Sequence, residues 1–232
     1  MVKQKKHGIF IVDDHAVVRQ GIKSLINQNA DMFVCDEAED GPSALRKLLD
    51  IKPDMAIVDI SLTSMSGLDV IKSMKIQCPS MPILVFSMHD EMIFAKRALR
   101  SGASGYTMKS EPSGILIDAV RKILKGKVYL SEKMTEQLLN QAIKGKSQPD
   151  EDIVDSLSDR EFDVFQLIGK GHGSRNIARR LNLSVKTIDT IRENIKHKLG
   201  LKSASELVPY AVEYVHTRNI GLSTLPDKPD VT

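Results

Sequence analysis

The sequence predicts an α/β domain built on a five-stranded, doubly wound parallel sheet, followed by a small all-α domain of four helices. Three observations carry this. Up to about residue 127, short apolar runs rich in β-formers alternate strictly with segments of helical period, the pattern of parallel strands joined by crossover helices. After residue 155 no strand signal remains. Between the two lies Lys144-Gly-Lys-Ser-Gln-Pro-Asp-Glu-Asp152, polar, rich in breakers and with almost nothing to bury. The expected organisation is residues 6–127 for the α/β domain, 128–155 for a linker with one helix, 156–218 for the helical domain and 219–232 for a frayed tail.

The expected strands are Ile9–Val12, Phe33–Cys35, Met55–Val58, Ile83–Phe86 and Gly105–Met108, near-continuous apolar runs of the kind buried on both faces. Helices are expected over Val17–Asn29, Pro42–Asp50, Leu68–Gln77, Glu91–Ser101 and Pro112–Lys125, where apolar residues recur every three or four positions. A sixth, Ser131–Ala142, aligns Met134, Leu138 and Leu139, with Ile143 just beyond it. In the helical domain Ser158-Asp-Arg-Glu161 has the pattern of a capping box, and Gly171 and Gly173 break the helix it opens. A second helix runs from Ser174 to Leu181, Ser184 caps a third, and Ser203-Ala-Ser-Glu206 opens a fourth that reaches Thr217. Leu207, Ala211, Val212 and Val215 give that last helix an apolar face, suited to core, to dimer contact or to both.

Composition narrows the function classes. The chain is 41% hydrophobic and 27% charged, and its apolar runs stop at four or five residues, against about 20 for a membrane span. With no export-type N-terminus either, a cytoplasmic protein without membrane association is expected. Cys35 and Cys78 have neither metal-knuckle nor redox spacing and are expected to be reduced and partly buried. The net charge of +3 excludes little, but Ser174–Lys202 alone holds eight basic and two acidic residues. His15 is expected as a surface or helix-start residue, and His7, His89, His172, His197 and His216 as solvated.

The ends of the strands carry the chemistry. Asp13 and Asp14 follow the first strand, Asp59 ends the third, Ser87 ends the fourth and Lys109 follows the fifth. In an open parallel sheet these C-terminal ends form the site. Converging carboxylates repel unless a cation neutralises them, and oxygen-only ligation suits Mg²⁺. A carboxylate also serves as nucleophile toward a phosphoryl group, with the cation and the Lys109 ammonium neutralising charge and the Ser87 hydroxyl donating to a phosphoryl oxygen.

On these residues the chain resembles the response regulators of two-component systems, specifically the NarL/FixJ type, whose receiver domain has a flavodoxin-like fold. The matching residues are Asp13-Asp14-His15 with Arg19 and Gly21, Asp59 with Gly67, Ser87, and Gly102-Ala-Ser-Gly-Tyr-Thr-Met-Lys109, and the likeness spans 8–127. It implies that Asp59 accepts a phosphoryl group from a sensor histidine kinase. It further implies that Asp14, Asp59 and the Ser61 carbonyl bind Mg²⁺ with Asp13 assisting, that Lys109 contacts the phosphoryl group, and that Ser87 and Tyr106 form a switch pair. Thr63 and Ser64 stand where that family often has Pro-Gly.

A helix, a short turn (Asn182-Leu183-Ser184) and a second helix in a basic segment form a helix-turn-helix, whose second helix enters the major groove. The segment is similar to the LuxR-type helix-turn-helix over about 157–212, through Leu157-Ser-Asp-Arg-Glu161, Leu167-Ile-Gly-Lys-Gly171, Ile177-Ala178, Leu181-Asn-Leu-Ser184, Thr187-Ile188 and Lys198-Leu-Gly-Leu201. The expected contacts to double-stranded DNA are Arg175, Ser184, Lys186, Thr187, Asp189, Thr190, Arg192, Glu193 and Lys196. Asp189 and Glu193 depart from the family, which commonly has lysine at base-facing positions. In the groove a carboxylate accepts from cytosine N4. Asn176 replaces the usual glutamate, which leaves Gly173 or Ser174 to cap the second helix.

The expected function is a phosphorylation-controlled transcription regulator, dimeric when active, with no enzymatic activity beyond its own phosphorylation and dephosphorylation. Two alternatives stand beside it. A phosphatase of the haloacid-dehalogenase kind needs an acid two residues after the nucleophile, where this chain has Ser61. A protein-binding adaptor follows if Asp189 and Glu193 abolish DNA affinity.

Overall fold

Five strands, β1 (His7–Val12), β2 (Met32–Ala38), β3 (Met55–Val58), β4 (Ile83–Ser87) and β5 (Gly105–Met108), pair in parallel in the order β2-β1-β3-β4-β5. The structure, a computed structural model, describes residues 6–62, 65–144, 153, 154 and 156–220. The expected linker stretch at 145–152, the tail from residue 221, Thr63 and Ser64 lie outside the described residues. The chain divides into two compact units, Met1–Lys146 and Ser147–Thr232.

Strand β3 is buried at every residue, as a central parallel strand must be when helices cover both faces of the sheet. On one face α1 (Ala16–Asn27) and α5 (Ser113–Leu124) pack Ile22, Ile26, Leu116, Val120 and Ile123 onto Ile9, Ile11, Ile57 and Leu84. The strand pleat turns Phe10, Ala56 and Val58 to the opposite face. There α2 (Gly41–Ile51), α3 (Gly67–Gln77) and α4 (Glu91–Arg100) bury Leu48, Leu68, Ile71, Met74, Phe94 and Ala98.

Strand β2 is longer than the expected Phe33–Cys35, because its added residues include charges that disguise a strand. It is an edge strand. Asp36 meets Lys47 at 3.0 Å and Glu37 meets Arg19 at 3.7 Å, and such charges protect an edge from pairing with another chain. Beyond β5 the sheet gains a short extension. Tyr129 N–H donates to the Ser104 carbonyl at 3.1 Å, and the Tyr129 carbonyl accepts from Tyr106 N–H at 3.0 Å. Two residues later Ser131 opens α6 (Glu132–Lys144) by accepting the Met134 N–H.

The second unit contains α7 (Asp159–Gly169), α8 (Ser174–Arg180), α9 (Val185–Lys198) and α10 (Ala204–Ile220). The capping box is present in both halves: Ser158 Oγ accepts from Glu161 N–H and Glu161 accepts from Ser158 N–H. Gly173 is the N-cap of α8 and uses no side chain, consistent with Asn176 supplying no cap. The α8–α9 turn passes through Asn182 at φ 50°, a left-handed conformation that asparagine tolerates. The second capping box expected at the start of α10 does not form: the Glu206 N–H donates to the Ser203 carbonyl at 3.2 Å, not to its hydroxyl, and the Glu206 carboxylate accepts from Lys202 N–H rather than from Ser203 N–H. Leu207, Ala211 and Val215 are buried against this unit's own core, beside Phe162, Phe165 and Ile168 of α7. Those three residues of the expected apolar face are therefore core, while Val212 is half-buried and Val208, among the described residues, is exposed.

Candidate functional site

Parallel register sets the site. Val12 pairs with Val58, and Ser87 with Met108, so the residues after β1, β3 and β5 emerge on one rim. Asp59 is held there by its N–H, which donates to the Val12 carbonyl at 2.9 Å, and Lys109 by its N–H to the Ser87 carbonyl at 2.8 Å. Gly67 closes the loop after Asp59. A Cβ on it would lie 2.0 Å from the Asp59 carbonyl oxygen, so no larger residue fits beside that backbone.

Asp13 and Asp59 are almost fully buried, and Lys109 reaches in to both. Its Nζ lies 2.6 Å from Asp13 Oδ2 and 2.7 Å from Asp59 Oδ2. Burial pulls the Lys109 pKa down, but the two carboxylates outweigh it and hold the ammonium above its ordinary value. The other oxygens take backbone donors: Asp59 Oδ1 accepts from Ser61 N–H at 3.2 Å and Asp13 Oδ1 from His15 N–H at 2.8 Å. Arg19 braces the loop through a 2.7 Å bond to the Asp13 carbonyl.

Asp13, Asp14, His15 and Asp59 offer ligand atoms all within 4.8 Å of one another. Oδ1 of Asp14 is buried and makes no hydrogen bond among the described residues, with the His15 ring nitrogen Nδ1 2.6 Å away as its nearest charged neighbour when protonated. A pocket of carboxylate oxygens with one left unsatisfied fits a hard divalent cation such as Mg²⁺.

Ser87 is fully buried and its Oγ accepts from His89 N–H at 3.3 Å. Tyr106 is also fully buried, with its hydroxyl donating to the His89 carbonyl at 3.0 Å. Burial pushes its phenol well above the ordinary value, a rise that a hydrogen bond with Ser87 only partly offsets. The structure thus places Asp13, Asp14, Asp59, Ser61, Ser87, Tyr106 and Lys109 around one rim.

His89, expected as solvated, is instead half-buried and engaged. Its Nε2 lies 2.8 Å from Ser61 Oγ and its ring stacks on Phe94 with centroids 4.4 Å apart. One residue thus joins the loops after β3 and β4. The signal that finds it is its place two residues after Ser87, on a loop bordering the pocket. His15 follows expectation: it is exposed and is the N-cap residue of α1.

Sequence reasoning also passed over Glu91. It is 6% exposed, its pKa is raised by burial, and its carboxylate accepts from Ser131 N–H at 2.9 Å. The cysteines follow expectation as free and partly buried.

In the second unit Ile188 and Ile195 anchor α9 inward, leaving Lys186, Thr187, Asp189, Thr190 and Glu193 exposed and Arg192 and Lys196 half-buried. Ser184 caps the helix by accepting Thr187 N–H at 3.0 Å. Arg175 is exposed on α8. No described helix is long and apolar enough to cross a membrane.

With the geometry in place, comparison with known proteins gives the class. Residues 9–121 match the response regulator receiver domain, and residues 155–211 match the bacterial regulatory proteins of the luxR family. The chain belongs to the two-component response regulators that join a receiver to a LuxR-type DNA-binding domain. It is 38% identical over 209 residues to the oxygen regulatory protein NreC of Staphylococcus aureus (strain JH9), covering 88% of this chain and 96% of that protein. Among solved structures, RcsB of Salmonella enterica serovar Typhimurium, bound to promoter rprA in the presence of the phosphomimetic BeF3-, is similar. It has a TM-score of 0.59 and 25% identity, over 90% of this chain and 99% of that one. A LuxR-family two-component response regulator from Aurantimonas sp. SI85-9A1 gives a TM-score of 0.56 at 30% identity, over 60% of this chain and 99% of that one.

Proposed function

We propose that this protein is a cytoplasmic transcription regulator whose DNA binding is controlled by phosphorylation of Asp59 from a sensor histidine kinase. The observation that carries the reading is the buried Lys109 ammonium held between Asp13 and Asp59 at the rim where three strands end. In the transfer, a carboxylate oxygen of Asp59 attacks the phosphorus of a phosphohistidine, the P–N bond breaks, and its electron pair stays on the imidazole nitrogen. Lys109 then moves its charge from the carboxylate to the phosphoryl oxygens. Asp13, Asp14, Asp59 and the Ser61 carbonyl would hold Mg²⁺, which when bound supplies neutralising charge for the incoming phosphoryl group. Ser87 donates to a phosphoryl oxygen, giving up its present contacts with His89 and Tyr106. The protein's own chemistry on this reading is limited to gaining and losing that phosphoryl group.

The DNA contacts are Arg175, Lys186, Arg192 and Lys196 to phosphates, Ser184 and Thr187 at the helix start, and Asp189, Thr190 and Glu193 along the groove face. The promoter-bound RcsB structure supports this assignment, and a structure of two RcsB dimers bound to two parallel DNAs supports a homodimer as the active form. Domain limits of 6–127, 128–155, 156–218 and 219–232 accompany the reading. The family matches at 9–121 and 155–211, and α6 between them, support those limits.

The test has two arms. A small phosphodonor with Mg²⁺ yields an acid-stable, hydroxylamine-labile acyl phosphate in the wild type and none in Asp59→Asn. Phosphodonor raises wild-type affinity for duplex DNA, with a steep loss on adding salt. Labelling that survives Asp59→Asn overturns the acceptor. Absence of duplex affinity at low salt overturns the transcription reading in favour of the adaptor.

A further inference from the structure

We propose that Asp189 is the base-selecting residue of this chain's helix-turn-helix, and that what it selects is the exocyclic amino group of a cytosine in the major groove. The inference deepens the DNA-binding reading of α9 and rests on it. Several polar groups on α9 are already engaged. Thr187 Oγ1 is within 2.7 Å of the capping Ser184 hydroxyl, and the Thr190 hydroxyl donates to the Lys186 carbonyl at 3.0 Å. Glu193 accepts from Lys196, three residues on, and that ammonium holds its carboxyl below the usual value. Asp189 is exposed, lies one turn before Glu193 on the same arc, and has no hydrogen bond or ion pair among the described residues. Of the two acids on α9, Glu193 carries its own cation to the groove face, and Asp189 is left to find a donor there.

Near DNA an unpaired carboxylate is a liability unless it finds a donor. Phosphates repel it, and every acceptor on a base edge does so too. In the major groove the donors are cytosine N4 and adenine N6. Adenine N6 lies between two acceptors, its own N7 and the O4 of the paired thymine, both of which repel an acceptor-only group. Cytosine N4 has an acceptor on one side only, the guanine O6, and a C–H on the other. A carboxylate thus prefers cytosine, whereas a side-chain amide, with donor and acceptor, suits adenine. Arg192, Lys196 and Leu207 line with Asp189 and Glu193 a cleft of about 230 Å³, so cations flank the acid and offset phosphate repulsion without bonding to it. The position of Asp189 in the N-terminal half of the helix is where recognition helices meet base edges.

The test selects bound sites from a randomised duplex pool with the full-length protein treated with a small phosphodonor. Wild type enriches cytosine at one position of each half-site by roughly ten-fold or more. Asp189→Asn moves that preference to adenine at the same position. Asp189→Ala erases it, keeps the remaining positions, and strengthens binding to random duplex at low salt, which also shows the variant to be folded. Glu193→Gln leaves that position unchanged. A cytosine preference that survives Asp189→Ala, or that moves with Glu193→Gln and not with Asp189→Asn, overturns the proposal. Failure of the wild type itself to bind random duplex at low salt removes the DNA-binding reading and this inference with it. That result is distinct from wild-type binding without cytosine selection, which overturns the inference alone.

Discussion

Replacing Lys109 with methionine tests whether the ammonium holds the acidic pocket together. The lysine side chain is 8% exposed and those of Asp13 and Asp59 are each 2% exposed, so both ion pairs lie out of water. Methionine keeps most of the stem's volume, and the change is close to a pure deletion of charge. Removing one partner of a buried pair costs about 3–5 kcal/mol, because the remaining charges are left uncompensated. At about 4 °C per kcal/mol for a domain of this size, the receiver's melting temperature falls by roughly 12–20 °C. Mg²⁺ supplies the sign test. In the wild type a cation competes with Lys109 for the same carboxylates, whereas in Lys109→Met it finds them unpaired and binds more tightly. At a concentration 100 times the dissociation constant, Mg²⁺ returns about 2.7 kcal/mol. Scanning calorimetry of the full chain, in chelator and then across a Mg²⁺ titration, measures both effects. A variant that melts with the wild type in chelator, or a Mg²⁺ shift equal in the two proteins, would refute the argument.

Gly67→Ala drives a Cβ to 2.0 Å from the Asp59 carbonyl oxygen and 2.6 Å from Ile60 Cα, both backbone, so the loop must move. A cost of about 1–3 kcal/mol is expected by thermal melting, with acyl-phosphate yield strongly reduced and low-salt duplex affinity unchanged. Glu91 has a raised pKa from burial, so the folded state binds its proton more tightly than the unfolded chain does. Its contribution is fully present below the unfolded value of about 4.3 and is lost as pH rises through the folded value. Glu91→Gln keeps an acceptor for Ser131 N–H and removes this dependence, so urea melts at successive pH values should show variant minus wild-type stability increasing from pH 4 toward 7. Ser158→Ala removes one half of the α7 capping box and costs about 1 kcal/mol, measured as an earlier melt of the helical domain with acyl-phosphate formation intact.

The sheet was legible because β1, β3 and β4 are apolar at nearly every residue, a pattern that only a strand covered on both faces requires. Strand β2 looks short in the sequence because Asp36 and Glu37 resemble loop residues until Lys47 and Arg19 are placed beside them. The convergence of Asp13, Asp14, Asp59, Ser87 and Lys109 was legible for a topological reason: in a parallel sheet, residues that end successive strands share one rim. His89 and Glu91 were not. Their roles depend on where Ser61 and Ser131 arrive, from 28 residues before and 40 after respectively, and no local period encodes such meetings. The apolar face of α10 shows a different limit, since periodicity reveals a face to be buried but not what buries it.

Those two unforeseen residues bear on how a phosphoryl group at Asp59 would be felt at a distance. On the proposed reading Ser87 is drawn toward the phosphoryl oxygens, and its hydroxyl now takes the His89 N–H. The His89 carbonyl in turn takes the Tyr106 hydroxyl, so Ser87 cannot move without altering what holds the ring. Tyr106 passes the effect along its own backbone, because its N–H donates to the Tyr129 carbonyl. Two residues beyond, Ser131 is fixed to Glu91 at the start of α4, the helix that follows the His89 loop. The segment 129–131 is therefore fastened at one end to β5 and at the other to α4, the two elements flanking Ser87, and it opens α6, by which the chain leaves the receiver. A rearrangement confined to the pocket would leave 129–131 in place. One that displaces α4 relative to β5 must strain or break one of the two fastenings, and this gives α6 a physical reason to respond to phosphorylation.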